Sequence, residues 1–150
     1  MSKITFSGID KVIEAKDADV FICMAEPQKH PYIHYKNEND FWAKKEYYEI
    51  LVNDETRDER YRSFEKTDLK NMSRILTIHK GKWIHINCLM GLSRSAAMTI
   101  FCLLFEKGKP TLDDFKNIQL SVIRGENRIP QLTTFPNDRM CNMICDYFNI

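Results

Sequence analysis

Lys82-Trp83-Ile84-His85-Ile86-Asn87-Cys88-Leu89-Met90-Gly91-Leu92-Ser93-Arg94-Ser95 joins two kinds of pattern through one short turn. From Lys82 to Asn87 bulky apolar side chains alternate with polar ones, the period of a strand. From Ser95 to Glu106 the chain is apolar and of helix length. The turn between them therefore sits at a helix N-terminus, and it carries a cysteine at one end and an arginine at the other.

Backbone N–H groups at a helix start have no intrahelical acceptor. A curled loop that feeds such a start aims several of them at one spot, where the helix dipole also favours negative charge. The residues Leu89, Met90, Gly91, Leu92, Ser93 and Arg94 are expected to cradle a phosphate there. Gly91 permits a left-handed or crowded backbone in mid-loop, and Arg94 offers a planar fork of donors for two phosphate oxygens. Cys88 then lies beneath the phosphorus, in surroundings that favour a thiolate nucleophile. Ser95 is placed to donate a hydrogen bond to the sulfur as it leaves a phosphocysteine intermediate. A lone cysteine is more often a small buried hydrophobe; the joint spacing of Cys88, Gly91, Arg94 and Ser95 is what argues for chemistry.

These residues resemble the signature of the cysteine-dependent protein tyrosine phosphatases, a cysteine and an arginine separated by five residues and followed by Ser or Thr. The ending Gly91-Leu92-Ser93-Arg94-Ser95-Ala96 resembles the dual-specificity branch. The resemblance, which runs from about Val20 to Phe148, implies an α/β fold: a three-layer sandwich with a central, mostly parallel sheet flanked by helices. It also implies no metal or other cofactor, and hydrolysis of phosphate monoesters. The family uses a general acid from a separate loop some thirty residues before the cysteine, and Asp54, after the strand-like Tyr47-Tyr48-Glu49-Ile50-Leu51-Val52, fits that place, with Asp58 and Glu55 in reserve. Pro136-Asn137-Asp138 resembles a feature in which an asparagine supports the loops of the site; Asn137 reads equally as an ordinary helix-start residue.

The chain departs from the pattern just before the nucleophile, where the family's usual histidine is replaced by Asn87. An asparagine amide can donate a hydrogen bond but never carries positive charge, so weaker support of the thiolate is expected. His85 projects to the same side of the strand, yet two strand residues span about 6.6 Å, too far for it simply to substitute. An active enzyme is the main reading. A pseudophosphatase that binds phosphoproteins without turnover stands as the alternative.

The 150 residues suit a single domain over 1–150, and 43% apolar with 29% charged residues is ordinary for a globular chain with a real core. A net charge of +1 argues against a nucleic-acid partner. The most apolar stretch, Ala96 to Phe105, is too short to cross a bilayer and no signal segment follows the first residues, so no membrane association and a cytoplasmic or nuclear location are expected. An odd count of 5 cysteines fits free thiols in a reducing compartment. Cys23, Cys102, Cys141 and Cys145 read as core residues. His30 and His34 flank Pro31 and do not read as a zinc pair.

Strands are expected near Ile4–Phe6, Val20–Met24, Tyr32–Tyr35, Tyr47–Val52 and Trp83–Asn87. Helices are expected over Glu59–His79, Ser95–Lys107, Leu112–Arg124 and Asn137–Phe148, with a short one over Asp10–Lys16. Gly108 reads as a helix stop, and Thr111 with Asp114 as a capping box.

Leu89, Met90 and Leu92 give the pocket floor an apolar composition, which speaks for phosphorylated protein substrates. A phosphoinositide or RNA 5′-phosphate would call for Lys or His there, so phosphatases of those classes are alternatives on the same fold. Tyr32, Tyr35, Phe41, Trp42, Tyr47 and Tyr48 could rim the pocket or simply pack. The short N-terminal region points to a shallow pocket that accepts phosphotyrosine and phosphoserine or phosphothreonine. Nothing in the sequence sets the oligomeric state.

Overall fold

Period-two alternation in four short segments builds a parallel sheet. The computed structural model describes residues 2–25, 45–52 and 63–150. Its strands are β1 (Lys3–Gly8), β2 (Val20–Ala25), β3 (Glu46–Leu51) and β4 (Trp83–Cys88), in the order β1-β4-β2-β3 with parallel pairing throughout. The last strand in sequence thus lies between the first two, with Gly8 of β1 in register with Cys88 and Cys23 of β2 with Asn87.

The alternation sorts side chains onto two faces. Ile4, Phe6, Val20, Ile22, Met24, Ile50, Ile84, Ile86 and Cys88 join one large core with the helices. Phe21 and Cys23 form a smaller cluster on the opposite face with Val12 and Ala18, against Tyr47 and Trp83. That second face is covered by a 3-10 helix, Ile9–Ala15. The helices α1 (Lys66–Ile78), α2 (Arg94–Phe105), α3 (Leu112–Ile123) and α4 (Asp138–Phe148) complete the layers. This is the expected α/β sandwich.

The central helix is α2, which touches β1, β4 and the three other α-helices. Met98, Ile100, Phe101 and Leu104 along it are fully buried. At roughly 1.5–3 kcal/mol for each such side chain, burial rather than helix propensity fixes this helix, and with it the position of its first turn. Local signals set the other ends. Thr111 Oγ1 accepts from the Asp114 N–H at 3.1 Å while the Thr111 N–H donates to Asp114 Oδ2 at 2.8 Å. Hydrogen bonding from Thr111, its backbone N–H foremost, holds the Asp114 carboxyl below its usual range.

One boundary differs from expectation. The first long helix begins at Lys66 rather than Glu59, because residues 63–65 are not helical and the Glu65 N–H donates to Asp68 Oδ2 at 2.8 Å, closing the helix start there. The expected strand Tyr32–Tyr35 lies outside the described residues, as do His30 and His34. Among the described residues no helix is long and apolar enough to cross a membrane.

Candidate active site

The strand-to-helix turn sits at the carboxyl end of β4, and its shape follows from where its carbonyls go. Leu89 O accepts from the Ile9 N–H at 3.1 Å, Leu92 O from Phe135 at 2.8 Å, and Ser93 O from Ala97 at 3.0 Å and Asn137 at 3.2 Å. Gly91 O accepts from Arg128 Nε at 2.9 Å and Met90 O from Arg128 Nη2 at 3.3 Å. A planar trans peptide points its N–H opposite its C=O. With successive carbonyls tied outward, the amides that follow them turn inward. The Met90–Gly91 peptide shows this directly: its carbonyl faces Arg128, and its N–H donates to Cys88 Sγ at 3.2 Å.

Glycine is required at the crossing of this loop with β1. Gly91 has φ of +71°, and a Cβ there would collide with Gly8 N and Ser7 C. A Cβ on Gly8 would in turn stand 2.9 Å from Met90 O. Bare backbones pass each other here, a close approach that only paired glycines allow.

Cys88 is buried, and its Sγ lies 3.1 Å from Ser95 Oγ, itself fully buried. Ser93 holds the N-cap position of α2 without a side-chain cap bond, whereas Thr111 and Asn137 cap α3 and α4 through their side chains. The first turn of α2 is therefore open to an anion. Arg94 is 95% covered, its Nη1 donates to Val52 O at 3.0 Å, and its buried Nε has no partner among the described residues. A buried guanidinium N–H left unpaired costs more than most polar groups. An anion is the natural partner for it.

Asn87 is fully buried on the opposite face of the sheet from Cys88. Its Oδ1 accepts from Cys23 Sγ at 3.0 Å, and its Nδ2 is unpartnered among the described residues. The backbone N–H of Asn137 donates to Ser93 O at 3.2 Å, while its Oδ1 caps α4 by accepting from the Met140 N–H at 2.9 Å. Leu89 and Met90, expected to floor the pocket, are instead 41% and 64% exposed.

Asp54, Asp58 and Glu55 lie outside the described residues, as do Tyr32, Tyr35, Phe41 and Trp42. Tyr48 packs against the main core and Tyr47 against the smaller cluster, so these two are packing residues. Cys23, Cys102 and Cys141 are buried as expected, and Cys145 is half-buried. Gly8 and Arg128 escaped the sequence reading. A glycine ending a strand was the available sign of the first; the second reaches the loop from 37 residues away in sequence.

The same arrangement of layers occurs in solved phosphatase structures. Tk-PTP in its active form matches with a TM-score of 0.66 at 19% identity, over 98% of this chain and 92% of that one. The chain has the fold of the cysteine-based tyrosine and dual-specificity phosphatases. The Yvh1 phosphatase domain from Chaetomium thermophilum matches at 0.60 and 16% identity over 98% and 90% of the two chains. Human DUSP28 matches at 0.62 and 14% over 98% and 92%. No protein-family model matches the sequence, and no curated protein matches it.

Proposed function

We propose that this chain is a phosphatase that hydrolyses phosphate monoesters on proteins through a phosphocysteine intermediate. The observation that carries the reading is the buried Nε of Arg94, without a partner among the described residues, beside a loop whose carbonyls from Leu89 to Ser93 are tied outward, with Cys88 Sγ at its base.

In the first step the Cys88 thiolate attacks phosphorus. An S–P bond forms, the ester P–O bond breaks, and the leaving oxygen takes a proton from a general acid, the role assigned to Asp54. The loop amides from Leu89 to Arg94 and the Arg94 guanidinium hold the three equatorial oxygens, over which the charge of the transition state is spread. In the second step water attacks phosphorus and gives its proton to the carboxylate left by the first step, the S–P bond breaks, and the sulfur departs with its electron pair. Ser95 Oγ, 3.1 Å from the sulfur, donates a hydrogen bond to it at that moment. No cofactor is needed. The exposed apolar Leu89 and Met90 suit a peptide carrying phosphotyrosine, phosphoserine or phosphothreonine better than a polyanionic inositide or RNA end.

The test is turnover of a small aryl phosphate by the full chain and by Cys88→Ser. Turnover that the substitution abolishes is expected, and phosphopeptide, inositide and RNA substrates then separate the classes. A second reading, a phosphoprotein-binding module, is favoured by Asn87, an uncharged side chain next to the nucleophile whose Nδ2 has no partner among the described residues. Phosphopeptide binding without turnover would establish it.

A further inference from the structure

A buried histidine behind the sheet is linked to the phosphate loop by a directed chain of hydrogen bonds. His85 is fully buried on the face opposite Cys88, between Thr5 and Ser7 of β1, with Oγ1 of Thr5 2.8 Å from Nδ1 and Oγ of Ser7 2.8 Å from Nε2. Two fixed donors settle which way each proton points. Trp83 Nε1 donates to Thr5 Oγ1 at 2.8 Å, and Ser7 Oγ donates to Gly8 O at 2.8 Å.

A hydroxyl has one proton. Because that of Ser7 is given to Gly8 O, the 2.8 Å contact to the ring needs a proton on Nε2. Nδ1 is then a bare acceptor for the Thr5 hydroxyl, whose oxygen receives the Trp83 N–H. The opposite tautomer would send two N–H groups into Thr5 Oγ1 and leave Ser7 Oγ and Gly8 O in contact with no proton between them. Burial, which holds the ring neutral down to about pH 3, agrees with this arrangement.

The chain continues past Gly8. Its carbonyl and the Ile9 N–H belong to one peptide, and they point in opposite directions. The Ser7 hydroxyl holds the carbonyl, and the Ile9 N–H donates to Leu89 O at 3.1 Å, the first carbonyl of the loop. Leu89 O held outward means that the Met90 N–H is held inward. We infer that His85, as the Nε2-protonated tautomer, is a positioning residue: through Ser7 and the Gly8–Ile9 peptide it sets the orientation of the phosphate loop. The influence reaches the loop around the edge of the sheet, and so does not need the ring to come near Cys88. The inference rests on the reading of that loop as a phosphate site.

Two measurements on the full chain test it. Nitrogen NMR of His85 near neutral pH should report a protonated Nε2 and a bare Nδ1; the reverse tautomer overturns the inference. Orthovanadate affinity is then compared among wild type, Ser7→Ala, His85→Leu and His85→Gln. Per folded molecule, Ser7→Ala and His85→Leu should bind vanadate about tenfold or more weakly, whereas His85→Gln, whose amide can still donate to Ser7, should stay within about threefold. A purely structural role would lower Tm in the variants and leave affinity per folded molecule unchanged, and that result overturns the inference. Wild type that binds no vanadate would instead remove the phosphate-site reading, while the tautomer would still judge the hydrogen-bond chain. Should His85→Leu fail to fold, Ser7→Ala alone decides the affinity comparison.

Discussion

Lowering the pH should destabilise this protein through His85 by an amount that can be worked out. The ring is fully buried and burial pushes its pKa from 6.5 down to about 3. Its folded pKa lies below its unfolded one, so between those values the unfolded chain binds a proton that the native state refuses. Stability therefore rises with pH through this window, is fully present above about pH 6.5, and falls as the pH drops towards 3. The slope is about 1.4 kcal/mol per pH unit within the window, which gives a loss of roughly 2 kcal/mol between pH 8 and pH 5. Against a typical domain stability of about 5–15 kcal/mol, that is large enough to measure. Thr5 and Ser7 on β1 and Phe21 on β2, which pack around the ring, do not titrate there. Urea unfolding of wild type and of His85→Gln at both pH values isolates the effect, since other groups contribute to both proteins alike. Wild type should lose about 2 kcal/mol more than the variant. Parallel losses would refute the burial of an uncharged ring.

Gly91→Ala should cost roughly 2 kcal/mol or more and abolish measurable vanadate binding, because a side chain at φ of +71° would also strike Ser7 and Gly8; urea titration and a binding assay check both. Arg128→Met removes the donors to Gly91 O and Met90 O. It should weaken vanadate binding about tenfold and stability by about 1–3 kcal/mol, and unchanged affinity would show that the loop holds its shape without the clasp. Thr111→Ala should lower stability by about 1 kcal/mol and leave aryl phosphate turnover untouched, since the α3 cap is separate from the loop. Burial pushes the Cys141 thiol up to about 12, with Asp138 adding to it, and burial raises Cys102 as well. Mass spectrometry after brief alkylation at neutral pH should find both unmodified until the chain is unfolded.

What was legible in the sequence was whatever local periodicity and short-range chemistry determine. Ile84, Ile86 and Cys88 alternate with Trp83, His85 and Asn87, and the structure places the two sets on opposite faces of β4. The Thr111 and Asp114 box is a contact between residues three apart, and it formed as expected. The start of α1 misled for a physical reason. Phe64 is buried and continues the apolar period of the helix, but Glu65 and Asp68 close the helix behind it. Of the candidate site, Cys88, Gly91, Arg94 and Ser95 could be proposed together because one turn holds them all. Gly8, Ser7 and Arg128 were not, because their importance lies in contacts with that turn from distant parts of the chain.

Those distant contacts also bear on how the loop is held. Three of the groups that tie its carbonyls outward, the N–H groups of Ile9, Phe135 and Asn137, belong to the backbone. A backbone donor is present whatever side chain stands at its position, provided the chain path is right. Matches at 14–19% identity to solved phosphatase folds are compatible with such tethers, since path rather than residue type supplies them. Side-chain tethers are different: Arg128, and Ser7 backed by His85, must be encoded by the residues themselves. Where Asn87 stands in place of the histidine of the family pattern, the neighbouring same-face position on β4 carries His85, which acts on the loop through Ser7 of β1. Asparagine at position 87 therefore removes a potential charge near Cys88, whereas the hold on Leu89 O runs through the uncharged Ser7 and His85. A double substitution, His85→Leu with Asn87→Ala, separates these contributions. If the two positions serve different ends, their effects on vanadate affinity should add to within about 0.5 kcal/mol, and a larger coupling would show that they form one unit.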